Sequence, residues 1–459
     1  MGSNIMNEAA SHSEAGEMVP NRVAAGWAVG SFGTTTMLNA VSMLLLYYLV
    51  TFVKIEPVIA GGMLFGSKLL DVLTDPPMGM LSDRTRSRYG RRRPWMLGGS
   101  FFCGIALAML FSVPDFAGAL LYLYVGFALA LFALSYTVFQ VPYMAMPAEM
   151  TDDYHQRTKV MSWRVVFMTL GNLTGIAIAP SLVQYFGADR AAYGQTGLIL
   201  ALLVFGAMFI CFFATADARQ TEPTSSDTPW MQHIRMLFEN NPLIILMGTK
   251  IAIYVGLSAN IAVALFFISS VLKMEPVMLG LLGGTQALTS IAFMPVCAWL
   301  SRKIGKKPAY IISLIGFSCA LLSWLLATPD EAVWLFGLRA FVIGMFGAGA
   351  HLYGQSMLMD TFAWDYRLTG IRREGVLASA FSFVEKASLA FGPLIVGLLL
   401  STMGFDKDLP KDAVQTDSAI QAMYLGFIWI PLACQMTTLF LLLFYKLDEK
   451  DLSESIVAK

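Results

Sequence analysis

The sequence predicts an all-α membrane protein, with twelve transmembrane helices in two six-helix halves around a central cavity. Three observations predict it. The chain is too apolar for water, its apolar residues fall in twelve runs of spanning length, and one loop pattern occurs twice. Of 459 residues, 56% are apolar and 14% charged, and mean hydropathy is +0.63. Soluble domains carry about 25% charged residues. Basic and acidic residues balance at 31 each, so the net charge gives no reason to expect a nucleic-acid partner. The partners expected are the lipid bilayer and a small-molecule substrate.

A span needs about 20 mostly apolar residues. The runs are 23–53, 56–82, 95–114, 118–146, 160–186, 191–214, 243–271, 277–300, 309–328, 333–360, 376–403 and 421–445. Residues 1–20 are polar without an apolar core, so no signal peptide is expected there. Two loops are long. The central one, 215–242, contains "PWMQHIRMLFENNP", where Met231, Ile234, Leu237 and Phe238 recur at helical spacing and suggest a helix lying on the membrane. The other is 404–420. The five cysteines are scattered singly, so neither a structural metal nor a disulfide framework is indicated.

The loops after spans 2, 8 and 10 are basic: "RTRSRYGRRRP", "SRKIGKKP" and "YRLTGIRREG". Positive loops stay cytoplasmic, which puts both termini inside. Two of these loops share more than charge. "LSDRTRSRYGRRRPW" and "LSRKIGKKPAY" each run Leu-Ser, cations, Gly, paired cations, Pro. They lie one six-span half apart. Such a duplication is the architecture of major facilitator transporters. It divides the chain into residues 1–214, a tail and half holding the cation site, then the loop 215–242, then the half and tail 243–459. Asp83, Arg84, Arg91 and Arg92 of the first basic loop are expected to latch the cytoplasmic side between conformations.

Polar residues inside the spans carry the function. Charge at mid-membrane costs about 2.5–3.5 kcal/mol on insertion scales and usually marks an ion or substrate path. Asp71 and Asp75 in span 2 are one helical turn apart, with Lys68 three residues before them. Two carboxylates so close repel, and a bound cation relieves the repulsion. Lys68 is a candidate partner for one of them. Pro76 and Pro77 follow, removing backbone donors and freeing carbonyls nearby. Span 1 carries Thr35, Asn39 and Ser42 as a polar stripe, span 4 Thr137, Gln140 and Met144 on one face, and span 10 His351 and Gln355. Arg164 and Lys386 lie inside spans 5 and 11, where each needs an acid or a substrate anion. Lys250 and Arg339 sit nearer helix ends and are placed to snorkel.

"DVLTDPPMGMLSDRTRSRYGRRRPW", "YTVFQVPY", "FGADR", "MDTFAWDYRLTGIRREG" and "FVEKASLAFG" occur in that order across both halves. In them the chain resembles the glycoside–pentoside–hexuronide:cation symporters, and among these the melibiose permeases. The resemblance implies coupling carboxylates at Asp71 and Asp75, a cation-site threonine at Thr137, a substrate-region arginine at Arg164, the span 11 lysine at Lys386 and a span 2 base at Lys68. It also shows departures. Sugar-holding or cation-holding acids of the melibiose permeases are replaced here by Thr35 and Gln140, and two tryptophans by Met144 and His351. The cation carboxylates are kept while the galactoside-holding set is mostly gone, and the remaining cations favour an anionic solute.

The reading is therefore a secondary symporter, not an enzyme. It takes H⁺ or Na⁺ at Asp71, Asp75, Thr137 and Gln140, where Na⁺ would bind only transiently. It moves a glycoside-type, anionic solute past Lys68, Thr35, Asn39, Met144, Arg164, His351, Gln355 and Lys386 by alternating access. The charge count favours H⁺, since Gln140 stands where an acid would help hold Na⁺. No cofactor is expected, and the protein is expected to be a monomer of the inner membrane. An amphipathic, lipid-like anion is the alternative solute. A prenyltransferase-type enzyme is the other class, because D-x-x-x-D also holds Mg²⁺-diphosphate. It expects a second Asp-rich motif, and the corresponding "QALTSIAFMPVCAW" has no carboxylate.

Overall fold

Hydrocarbon offers no partner for backbone N–H and C=O groups, so each apolar run must satisfy its own. The computed structural model does this with helices. It is described here for residues 19–151, 154–218, 240–329, 331–369, 374–409 and 414–447, and no strand occurs among them. Twelve helices are long and apolar enough to span: α1 Asn21–Thr51, α2 Pro57–Arg84, α3 Arg93–Phe111, α4 Ala119–Pro147, α5 Lys159–Tyr185, α6 Arg190–Ala214, α7 Asn241–Val271, α8 Val277–Ile304, α9 Lys306–Leu326, α10 Val333–Arg367, α11 Ala380–Thr402 and α12 Asp417–Phe444. Helical structure continues past α4 to Met150 and past α10 to Thr369. Both therefore outrun the apolar segments read from sequence. The surface helix expected within 215–242 lies outside the described residues except at its edges.

Proline does not break α2, which runs continuously through Pro76 and Pro77. Four helices contain a wider turn, at Val41–Leu45, Thr174–Ile178, Phe267–Val271 and Leu425–Trp429. By packing, the chain divides into two compact units. One comprises Met1–Val41, Leu73–Gly175 and Ala191–Ser225, the other Ser42–Val72, Ile176–Arg190 and Ser226–Lys459.

In the first unit α1 lies against α5 and α3 against α4. Glycine permits the first contact: a Cβ on Gly171 would stand 2.7 Å from the Phe32 carbonyl oxygen. Trp27 stacks on Tyr143 at 4.7 Å and donates to its carbonyl, and Ser31 meets the Tyr143 hydroxyl at 2.6 Å. These contacts tie α1 to α4. In the second unit α7 packs on α11 and α12, and α10 on α8 and α9. Phe267 stacks on Phe427 at 4.3 Å beside Trp324. The first part of α2 belongs to this unit and meets α11, with Phe65 5.2 Å from Phe391.

Candidate functional site

The contact between α2 and α11 positions the first site residues. Asp71 is only 6% exposed, and its Oδ2 lies 3.6 Å from Lys386 Nζ. At that separation the pair is electrostatic rather than a good hydrogen bond. Lys68, the sequence candidate, also acts on Asp71 electrostatically, and α11 adds a second cation, because α2 packs there and a partner across a helix interface has no sequence spacing.

Four residues on, α2 meets α4. Thr74 Oγ1 donates to Thr137 Oγ1 at 3.2 Å. Thr137 is buried, and its bond to α2 is made by the residue next to Asp75. Gln140 follows one turn later on α4, and its buried Oε1 accepts no hydrogen bond. Pro76 and Pro77 leave the Val72 and Leu73 carbonyls without their usual helical donors. Both carbonyls lie between the two aspartates. Thr74 was not singled out in the sequence, where a threonine in a span is unremarkable.

Other predicted residues are placed more plainly. Asn39 donates to Asn172 Oδ1 at 2.7 Å, and Thr35 packs beside Gly171, so both belong to the α1–α5 interface. The buried Nε of Arg164 has no hydrogen-bond partner. Met144 is exposed.

His351 and Gln355 line a cavity of about 280 Å³ formed by α7 to α12, all within the second unit. Lys250 lines it as well. It does not snorkel: it is 5% exposed, its Nζ lies 2.6 Å from Glu385 Oε2, and the ammonium sits 3.3 Å from the centre of the Phe381 ring. Arg339 is likewise buried, paired with Glu331 and facing Trp324. In both cases an acid on a neighbouring segment supplied what the helix-end reading assumed water would supply. Glu385 was legible only as the neighbour of Lys386.

The basic loop after α2 finds its acid on α4. Arg91 Nη2 lies 2.6 Å from Glu149 Oε1, Arg92 also binds Glu149, and Arg92 Nη2 reaches Asp83 at 3.0 Å. Arg84 is exposed at the end of α2. The second half repeats the device: Lys306, after α8, meets Asp360 of α10 at 2.7 Å. Loop and helix correspond in the two halves, as the duplication requires.

Twelve spans, duplicated loops and charges held inside the apolar bundle define a secondary transporter. Residues 26–449 match the model of the MFS/sugar transport protein family. The chain belongs to that family, the glycoside–pentoside–hexuronide:cation symporters of the major facilitator superfamily. It is similar to the isoprimeverose transporter of Lactiplantibacillus pentosus, at 23% identity over 94% of this chain and 90% of that one. It is also similar to the glucuronide carrier protein homolog of Escherichia coli (strain K12), at 24% over 95% and 94%. A crystal structure of a bacterial homolog of the human lysosomal transporter Spinster shares the fold, with TM-score 0.68 and 13% identity over 93% of this chain and 96% of that one. The protein is thus a multi-pass membrane transporter of sugar-type solutes with the major facilitator fold. The prenyltransferase reading of Asp71 and Asp75 falls with that.

Proposed function

We propose that this transporter is a proton-coupled symporter of an anionic, glycoside-type solute, with coupling at the α2 carboxylates. The observation that carries the reading is the Asp71–Lys386 pair. A carboxylate buried in a membrane bundle needs positive charge nearby, and here Lys386 stands 3.6 Å away, at the limit of an ion pair, with Lys68 also acting on it. A cation taken up at the α2 carboxylates competes with Lys386. The ammonium so released, itself costly without an anion, then attracts the negative group of the solute. Neither charge is stable in the apolar interior alone, so the two are moved together. That mutual need is the coupling.

Thr137 and the partnerless Gln140 oxygen are neutral ligands available to the cation. Na⁺ also needs net negative charge to repay its lost water, and Lys386 cancels much of what α2 offers. A proton needs one carboxylate only. Arg164 and Lys386 favour an anion, and the similarity to a glucuronide carrier homolog supports a uronide-type solute. We place both termini on the cytoplasmic side of the inner membrane from the basic loops, and take the transporting unit as a monomer with no cofactor.

The test is uptake of a labelled uronide into proteoliposomes with each gradient imposed alone. Uptake is expected to follow an inward proton gradient without Na⁺. Uptake that follows a Na⁺ gradient at equal pH, and ignores the pH gradient, overturns the proton assignment.

A further inference from the structure

His351 and Gln355, assigned above to the solute, line the cavity of the second unit, but Lys250 on its wall has no assigned role. The cavity is walled by α7 to α12 and measures about 280 Å³. That lies near the lower end of small-molecule sites, about 300–1,000 Å³. It has room for one sugar ring with a small substituent, and not for an acyl chain.

Its walls are chemically uneven. The ring of Phe317 and the side chains of Ile253 and Leu257 give apolar surface, against which the C–H face of a sugar ring packs. Among them are polar atoms that the protein leaves unanswered. Gln435 is 7% exposed, and its Oε1 accepts no hydrogen bond; Trp324 Nε1 donates none. Buried polar atoms are nearly always paired, and each exception needs an explanation. Gln286 and Gln355 also line the cavity, and their amides both donate and accept, as a hydroxyl does, so hydroxyl groups suit this wall.

The ion pair on this wall is as telling. Burying a salt bridge is a poor way to stabilise a fold, since apolar residues of like volume do as well or better. The two partners also differ. The Lys250 side chain is almost wholly buried and held over Phe381, whereas the Glu385 side chain is 34% exposed. The base is enclosed, and the acid, which Tyr254 also holds by a side-chain hydrogen bond, is the exposed partner. An ammonium caged in this way requires an anion at all times, but it need not be the same one.

We propose that the α7–α12 cavity is a binding site for a hydroxylated ring bearing one carboxylate or sulfonate, with Lys250 as its counter-ion and Glu385 as the place-holder it displaces. A neutral glycoside gains nothing from Lys250, because it cannot replace Glu385. The cavity thus selects by charge at a pair separate from Asp71 and Lys386. The proposal rests on the reading of the protein as a carrier of glycoside-type solutes, and not on its coupling ion.

The test is equilibrium binding by calorimetry to the whole protein in lipid nanodiscs, without any ion gradient. The probes are methyl β-D-glucuronide and the neutral methyl β-D-glucoside. The wild type is expected to prefer the glucuronide. Glu385→Gln removes the competitor, so the glucuronide-to-glucoside affinity ratio should rise by about tenfold, the value of one favourable charge contact. Lys250→Gln should erase the preference, and Lys250→Arg should retain it. Should Lys250→Gln fail to fold with Glu385 stranded, the double variant K250Q/E385Q restores neutrality and should bind both probes equally. No binding of either probe, equal binding by the wild type, or an unchanged ratio in Glu385→Gln and in the neutral variant overturns the site. Because no gradient is present, a failure of proton coupling leaves these outcomes untouched.

Discussion

Two ion pairs meet on α11 at consecutive residues, and they differ in tightness. Glu385 binds Lys250 of α7 at 2.6 Å, within hydrogen-bond distance, with the ammonium over an aromatic ring. Lys386 approaches Asp71 of α2 at 3.6 Å, with its own side chain 30% exposed. Adjacent helical positions point about 100° apart, so one helix serves two neighbours with opposite charges. The buried member is a base in the first pair and an acid in the second. Each buried charge must keep a partner, so the first pair can be exchanged only for another anion and the second only for another cation. On the readings proposed above, one pair therefore attends to the solute and the other to the coupling ion.

The most direct way to break the comparison is Asp71→Asn. It removes the buried acid that faces Lys386. Concentrative uptake should be abolished, while expression and insertion persist, since α2 keeps its apolar length. Asp75→Asn should do the same, because Asp71 then keeps its cation partner and the second carboxylate proposed to take the coupling ion is gone. Wild-type accumulation by both variants would show that α2 does not couple.

The second test acts on stability. Removing one partner of a buried pair strands the other, at about 3–5 kcal/mol when both are fully buried. Glu385 is one-third exposed, so Lys250→Ala should cost less, about 1–3 kcal/mol. Adding Glu385→Ala should recover most of that loss, because no charge is then stranded. Thermal unfolding of the three variants in one detergent reads this directly. Equal melting of the single and double variants would mean that Lys250 contributes by packing alone.

Much of this was open to the sequence, for physical reasons that also set the limit. Spans are legible because hydrocarbon thickness imposes a length, and α2 stands out because two aspartates in an apolar run have no bland explanation. Partner choice is not local. Lys68 is legible from spacing as a cation near the α2 acids, whereas Lys386 reaches Asp71 only through the packing of α2 on α11. Lys250 looks like a snorkelling end residue, yet α11 brings Glu385 to it. Glu149 hides in "MPAEM", past the apolar part of α4, and only the fold shows it gathering Arg91 and Arg92. The latch was read from the residues of one loop, Asp83 among them, because its second acid is 58 residues away from Arg91.

A sharper form of the comparison removes the more exposed member of the looser pair. Lys386→Ala takes the ammonium away from a buried carboxylate, so melting should fall, by about 1–2 kcal/mol rather than the full cost of a stranded buried charge because Lys68 also acts on Asp71. It should also impair concentrative uptake, because the cation no longer displaces anything that the solute needs. Counterflow at equal ion concentrations, which needs solute exchange but no coupling, should survive better than uptake. Loss of both to the same degree would make Lys386 a solute ligand only.

The smallest effect is expected at Thr74. Its hydroxyl donates to Thr137 at 3.2 Å and joins α2 to α4 beside Asp75. Thr74→Ala removes one neutral hydrogen bond, which contributes about 0.5–1.5 kcal/mol. No charge is stranded, and the Thr137 hydroxyl can turn toward the cation it is proposed to meet. If Thr137 is a ligand, the lost bond should appear as a change in the ion concentration that half-saturates uptake, by about threefold, with the maximal rate kept. Thr74→Ser, which keeps the hydroxyl, should restore it. If the bond is only packing, Thr74→Ala should lower melting slightly and leave half-saturation where it was. The same titration on Gln140→Leu then tells whether the partnerless oxygen one turn further along α4 belongs with Thr137 at the cation or stands apart from it.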